Sequence, residues 1–344
     1  MTNKLKVAVI GLGILGSRHA RVWSELADAE LVAVMDVNGA RTKSIGEKHN
    51  VPSFDNLDRM LAETQLDAVS IATPDHLHLS PTVTALKAGK HVLLEKPLAT
   101  NADDARTIVA AASAANKIVA VNFSQRCVSD HIWLKEQIHA GNIGTPRMVI
   151  SVKFDTIFVP TGMIPGWSTQ TSPLYFMSSH DLDLTHWFLG ADPVQVVAQE
   201  VRGTLDARGF AVHDGLNALI QFANGASANF HSSWIHPNTY PRIADGYIQI
   251  IGSEGALMYN NRTRTAEIYN AQGGQKIEFT GAHTADEVNG KITGAFVASL
   301  ENFVDCIRTH REPDTSPRRA LPIALAQAAA IESLTSSSFV RVHV

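Results

Sequence analysis

The stretch Val7-Ala8-Val9-Ile10-Gly11-Leu12-Gly13-Ile14-Leu15-Gly16 decides how the chain begins to fold. A short apolar run enters three glycines in GxGxxG spacing, and a helical pattern follows. Lys4 and Lys6 ahead of it imitate the basic start of a secretory signal, yet no small-residue cleavage site closes the run. It reads as a buried strand, a turn and a helix start. Each glycine has a physical task in that reading. Gly11 permits a tight turn, Gly13 lets the backbone approach a pyrophosphate, and Gly16 lets helix and strand pack closely. The amides opening the helix, at Ile14 and Leu15, offer unpaired donors and the positive end of the helix dipole.

The next strand ends at Asp36, 20 residues beyond Gly16, where a carboxylate accepts hydrogen bonds from adenine-ribose hydroxyls. It also repels a 2′-phosphate, and its neighbours Val37 and Asn38 carry no positive charge to neutralise one. Arg41 is placed to stack on adenine or meet a phosphate. NAD is therefore the favoured cofactor, with NADP the lesser alternative.

Outward from this unit the alternation continues. Lys6–Ile10, Leu31–Asp36, Ala68–Ala72, His91–Glu95 and Ile118–Asn122 read as strands buried on both faces. Between them lie helices with readable ends: Ser80-Pro81 as N-cap and first position, Gly89 as a stop, and Asn101 capping a first turn that holds Asp103 and Asp104. Such alternation implies a doubly wound parallel sheet. After Phe123 the rhythm changes. A helix over Asp130–Ala140, a strand over Arg147–Phe154, a long loop and a helix from Pro173 to Leu189 lead into six consecutive strands between Val194 and Tyr269. Asn224-Gly225 marks a hairpin between two of them. Two helices, Ala295–Thr309 and Arg319–Thr335, follow. We expect an α/β dinucleotide-binding domain over 1–123 and an α+β domain with a large, mostly antiparallel open sheet over 124–344.

Composition narrows the classes. The 344 residues carry 29 Lys and Arg against 33 Asp and Glu, a net charge of −4, with no basic cluster for nucleic acid or an anionic membrane. Apolar residues are 45% and charged ones 18%, as in ordinary globular chains. Two distant cysteines, Cys127 and Cys306, exclude a disulfide framework and suit a reducing cytoplasm. No apolar stretch reaches the roughly 20 residues of a membrane span.

Three further strings complete a pattern: Ala72-Thr73-Pro74-Asp75-His76-Leu77-His78, Ala88-Gly89-Lys90-His91 and Glu95-Lys96-Pro97. With the glycine loop, their order and spacing resemble the Gfo/Idh/MocA family of sugar and inositol oxidoreductases. Asn142-Ile143-Gly144, Trp187-Phe188-Leu189-Gly190 and Gly252-Ser253-Glu254-Gly255 resemble further landmarks of that family, so the likeness covers nearly the whole chain. The resemblance implies an N-terminal Rossmann domain and a C-terminal sheet that mediates homodimers or homotetramers. It makes Lys96 the active-site lysine, followed by a cis peptide to Pro97. It sets Thr73, Pro74, His78 and Glu95 beside the nicotinamide, and Arg126 near cofactor and substrate. Read from the residues, Lys96 ends a parallel strand beside the crevice where such sheets bind ligands. An ammonium there stabilises an alkoxide as hydride leaves.

In the second half, Phe176, His180, Asp183 and Trp187 fall at i, i+4, i+7 and i+11, one stripe on one helix face, while Asp181 points elsewhere. The resemblance makes His180 the general base and Asp183 a contact to substrate hydroxyls. Trp167, Trp234 and His236 are candidates to line a sugar pocket, though each singly also suits a core. One departure stands out: where many members carry an aspartate one turn before the histidine, this chain has Phe176. The expected substrate is a sugar, cyclitol or related polyol, contacted by Lys96, Arg126, Trp167, Phe176, His180 and Asp183. The rival expectation is a dinucleotide-binding regulatory protein of the same fold, for which Phe176 speaks. No HExxH or Cys/His cluster occurs, and no metal is expected.

Overall fold

The structure, a computed structural model, describes residues 4–344. It divides into two compact units: one runs to Cys127 and takes in Ala282–Leu321, and the other comprises Val128–Gly281 and Pro322–Val344.

In the first unit, strands β1 (Leu5–Ile10), β2 (Ala29–Met35), β3 (Ser53–Phe54), β4 (Ala68–Ile71), β5 (His91–Leu94) and β6 (Val119–Val121) alternate with helices α1 (Ile14–Glu25), α2 (Gly39–His49), α3 (Leu57–Glu63), α4 (Leu79–Lys87) and α5 (Ala102–Ala115). Every pairing is parallel, in the order β3-β2-β1-β4-β5-β6. The order reverses between β1 and β4, which opens a crevice at their carboxyl ends. Asparagines punctuate the helices. Asn38 and Asn101 cap the starts of α2 and α5, and Asn50 and Asn116 end them in the left-handed conformation. Helix α4 begins at Leu79, two residues before Pro81, because a turn over Asp75–Leu77 feeds straight into it. Pro81 then lies in the first turn, where its missing N–H leaves no bond unmade.

The second unit opens with α6 (Ser129–His139) and continues through β7 (Pro146–Thr156), α7 (Pro173–Phe176) and α8 (Ser179–Leu189). Strands β8 (Pro193–Val201), β9 (Gly215–Phe222), β10 (Ser227–His236), β11 (Ala244–Gly252), β12 (Gly255–Asn260), β13 (Thr265–Asn270) and β14 (Gly273–Glu278) follow. The chain then forms a hairpin of β15 (Asp286–Val288) and β16 (Lys291–Thr293), helices α9 (Ala295–Thr309) and α10 (Pro317–Ser336), and β17 (Val340–Arg341). Nine strands make one sheet, β14-β13-β12-β11-β7-β10-β9-β8-β17. It is antiparallel except between β10 and β7, where the early strand inserts beside a later one. Alternation assigns its faces. Val149, Phe230, Ile250 and Leu257 are buried in one core with Leu182, Ile323 and Ala330, whereas Met148 on the opposite face of β7 is 46% exposed. Among the described residues no helix is long and apolar enough to cross a membrane.

Helix α9 explains why a single cut after Phe123 does not describe the compact units. Phe296, Leu300, Phe303 and Val304 recur at i, i+4, i+7 and i+8 and are buried with Val7, Val9 and Trp23. That stripe makes residues far along the chain part of the first unit's core.

The stripe expected from Pro173 to Leu189 is interrupted. Ser172 accepts from the Tyr175 amide and Pro173 takes the first helical position, so α7 is a single turn. Met177 and Ser178 both donate to the Pro173 carbonyl. Ser178 has ψ 2°, pairs its hydroxyl with that of Ser232, and accepts from Leu182 to open α8. Only His180, Asp183 and Trp187 therefore share a helix. Phe176 packs instead against Trp167 and Trp234, with ring centroids 5.8 and 6.2 Å apart. Ile157, Val159, Ile164, Met177 and Leu205 complete this small core. Trp234 is fully buried, its Nε1 donating to the His213 carbonyl at 2.6 Å, so it belongs to the core and lines no pocket. Phe176→Asp should consequently lose packing and bury an unpaired carboxylate, lowering stability by about 2–4 kcal/mol. Chemical denaturation measures this; a variant as stable as the parent would show that Phe176 contributes no packing.

Candidate functional site

The glycine loop has the form its spacing requires. Gly11 has φ +81° and donates its amide to the Met35 carbonyl at 2.8 Å; a Cβ there would lie 2.7 Å from the Ala72 carbonyl oxygen and the Thr73 amide. A Cβ at Gly16 would lie 1.7 Å from the Gly11 carbonyl oxygen, so α1 can take its place only with glycine there. Gly13 differs from both: a Cβ on it would meet nothing within 4 Å. No side chain caps α1. The amides of Ile14 and Leu15 thus open a helix whose N-terminus has no side-chain cap and whose preceding glycine has open space beside it, which fits the pyrophosphate of a dinucleotide.

Asp36 is buried and already engaged. Its Oδ2 accepts from the Leu12 amide at 2.6 Å and from Arg41 Nη1 at 3.2 Å, and its Oδ1 accepts from the Asn38 amide at 2.8 Å. A carboxylate has about four acceptor positions, so one remains for a ribose hydroxyl, and another is freed if Arg41 swings away. Arg41 is nearly half exposed and held to the carboxylate by this one contact at the site. Val37 beside it is almost fully exposed.

At the end of β5 the chain is held on both sides of Lys96. The Lys96–Pro97 peptide is cis. The Pro97 carbonyl accepts from His78 Nδ1 at 2.7 Å, which fixes that ring as the Nδ1–H tautomer. Burial pushes the His78 imidazolium pKa down and keeps the ring neutral. Glu95 was expected to border the nicotinamide; its carboxylate is instead turned into the core, where Oε1 meets His19 Nε2 at 2.9 Å and Asn122 Nδ2 at 2.6 Å. Its Oε2 accepts from the Lys96 amide at 3.2 Å. Burial alone would raise the Glu95 carboxyl, but His19, the Lys96 charge and Asn122 together outweigh it and hold the group below the usual carboxylate range. Lys96 itself is half-buried, as are Thr73 and Pro74 just past β4. Arg126 lies in the turn Ser124–Cys127, with Nη1 donating to the Asp314 carbonyl at 3.2 Å.

The other candidates belong to the second unit. His180 is half-buried and Asp183 buried in α8, one turn apart; Trp167 and Phe176 stand in the aromatic cluster described above. Asp181 does point away from that pair, toward Lys153 of β7, whose Nζ is 3.9 Å from its Oδ1. Here burial wins: the Asp181 carboxyl is pushed up, with the Lys153 charge opposing incompletely. His236 packs between Phe154 and Tyr240 at centroid distances of 5.0 and 4.8 Å. Sequence reading did not single out His19, Asn122 or Ser70, the partners gathered around Glu95. A histidine on the apolar face of α1, three residues after Gly16, was the one available signal.

Comparison with known proteins gives the family. Residues 5–123 match the NAD-binding Rossmann-fold domain of the Gfo/Idh/MocA oxidoreductase family, and 135–342 match that family's C-terminal alpha/beta domain. A 1,5-anhydro-D-fructose reductase of Ensifer adhaerens is 26% identical over 320 residues, covering 88% of this chain and 90% of the relative. An inositol 2-dehydrogenase of Rhizobium meliloti is 28% identical over 328 residues, covering 94% and 96%. Among solved structures, an Agrobacterium radiobacter oxidoreductase in complex with NAD+, L-tartaric acid and magnesium superposes with a TM-score of 0.87 at 20% identity, over 99% of each chain. Open space at Gly13, a carboxylate at Asp36 with one acceptor position left and a lysine after a buried Glu95 thus occur in a chain that belongs to the Gfo/Idh/MocA oxidoreductase family.

Proposed function

We propose that this chain transfers a hydride between NAD(H) and a secondary hydroxyl or ketone of a sugar, cyclitol or related polyol. The observation that carries the cofactor half is the loop at Gly11–Gly16, open at Gly13 and backed by the Asp36 carboxylate. The substrate class follows the relatives, a reductase of an anhydrosugar and a dehydrogenase of inositol. When bound, the nicotinamide supplies the hydride acceptor for alcohol oxidation. His180 takes the hydroxyl proton as the C–H bond gives up its hydride, and the Lys96 ammonium stabilises the charge developing on that oxygen. Thr73, Pro74 and His78 border the cofactor, Arg126 reaches cofactor and substrate, and Asp183 and Trp167 contact the substrate. Phe176 makes that side of the site apolar, since it stands where relatives of the family commonly carry a carboxylate.

The second reading, a dinucleotide-binding regulator without turnover, is favoured by Phe176 alone. Lys96 and His180 together favour the enzyme.

Asp36 accepts from ribose hydroxyls and repels a 2′-phosphate, so NADH should bind about 10–100-fold more tightly than NADPH. Fluorescence titration with both reduced cofactors measures the ratio; equal affinity would mean that Arg41 turns from Asp36 to serve the phosphate. The half-exposed face of β7 that bears Met148 and Phe154 is proposed to pair with a second copy of the chain. Light scattering at micromolar concentration should then give a dimer or tetramer, and a monomer would remove that proposal. Turnover on a panel of monosaccharides, inositols and anhydrosugars tests the chemistry. His180→Ala and Lys96→Ala should each lower kcat by about 10²–10⁴-fold while leaving NADH binding in place. Turnover surviving both substitutions would refute these assignments, and a wild type without turnover that binds NADH would favour the regulator.

A further inference from the structure

A chain of buried polar groups runs beneath Lys96 and joins five elements of the first unit, β4, α1, β5, β6 and α9. Ser70 of β4 lies 2.8 Å from His19 Nδ1, and His19 Nε2 lies 2.9 Å from Glu95 Oε1. Asn122, just past β6, donates to that same oxygen, and Ser299 of α9 lies 2.8 Å from Asn122 Oδ1. Ser70 and His19 are wholly shielded from solvent, and Glu95 and Asn122 nearly so. Serine, histidine and carboxylate stand in the order of a hydrolase triad, but a hydroxyl with no exposed surface cannot reach a substrate. The chain must serve another purpose.

The proton positions follow from chemistry. An ionised Glu95 only accepts, so His19 Nε2 carries the proton toward it and the Asn122 amide must present its NH₂. Asn122 Oδ1 is then turned toward Ser299. The ring of His19 is kept in this orientation by Phe296, whose ring meets it edge-on at 4.9 Å. With two donors on Oε1 and the Lys96 amide on Oε2, the carboxylate keeps its charge in the interior.

We propose that His19 is a positioning residue for Lys96: through its bond to Glu95 it holds the carboxylate that fixes the Lys96 backbone and keeps an anion beside the Lys96 ammonium. This rests on the reading of Lys96 as the group facing the reacting oxygen. His19 sits one turn after Gly16, so the helix that opens the cofactor loop also reaches the strand end bearing the lysine. Loop and lysine are thereby tied to one rigid element. The titratable groups around Glu95 are His19 on α1, Lys96 beside it, and His78 with its neighbour Asp75 past β4.

The test reads Lys96 directly and needs no turnover. The rate at which acetic anhydride labels the Lys96 amine is followed by peptide mass spectrometry between pH 7 and 10. Wild type is compared with Glu95→Gln, His19→Leu and His19→Gln. Glu95→Gln removes the neighbouring anion, disfavours the ammonium, and should raise labelling at pH 8 about tenfold. His19→Leu should shift the profile in the same direction by less, because the buried carboxylate loses a donor and is protonated more readily. His19→Gln restores an N–H near the position of Nε2 and should return the profile toward wild type. If His19→Leu does not fold, Ser70→Ala, which frees the ring at Nδ1, takes its place with a smaller expected shift. Wild-type profiles in Glu95→Gln, or in both His19→Leu and Ser70→Ala, overturn the proposal, as does a His19→Gln profile no closer to wild type than that of His19→Leu. With any substrate that wild type turns over, His19→Leu should also lower kcat by about 10–100-fold with NADH affinity little changed. Turnover that survives Lys96→Ala would remove the assignment of Lys96 instead and leave the labelling result standing.

Discussion

The absence of a side chain at Gly16 is the constraint on which the first unit depends. Helix α1 lies so close to the turn after β1 that any Cβ at this position would collide with the Gly11 carbonyl. That approach does three things at once. It brings the uncapped start of α1 to the crevice beside β1 and β4. It presents the Leu12 amide to Asp36, fixing the carboxylate at the end of β2. One turn further along, it carries His19 across β4 to the end of β5, where Glu95 precedes Lys96. A residue larger than glycine would move the start of α1, the Asp36 carboxylate and the His19–Glu95 contact together.

Buried carboxylates show how donors decide the balance against desolvation. Glu95 and Asp181 are both shielded from water, yet their acidities move in opposite directions. Glu95 has three donors within hydrogen-bond distance and a neighbouring ammonium, and stays ionised more readily than a free glutamate. Asp181 has Lys153 at 3.9 Å, too long for a good hydrogen bond, and burial prevails. Asp130 follows the first pattern, held by a two-pronged contact from Arg264 and by the Tyr259 hydroxyl. Distance and number of donors, more than burial, separate these groups.

The second unit owes its local shape to a competition within one segment. Ser172-Pro173 starts a helix and Ser178 starts another, so a pattern with helical spacing throughout is divided at these two starts. The break lets Phe176 turn into an aromatic cluster with Trp167 and Trp234 while His180 and Asp183 stay together on α8. An aromatic ring at position 176 is thus accommodated by packing with no charge to satisfy.

Much of this was legible in the residues themselves. The parallel strands, the turn at Gly11, the hairpin at Asn224-Gly225 and the caps at Asn101 and Gly190 are local consequences of side-chain chemistry and of which residues tolerate a positive φ. They need no knowledge of distant contacts. Tertiary structure decided what depends on neighbours far along the chain. Whether Asp36 is free or occupied turns on Leu12 and Arg41, and whether Glu95 faces a ligand or the core turns on a histidine 76 residues earlier. The return of α9 to the first unit and the insertion of β7 between β11 and β10 likewise arise from packing of matching apolar faces. Sequence spacing fixes which residues share a face, but burial and the pairing of buried polar groups are settled only when those faces meet.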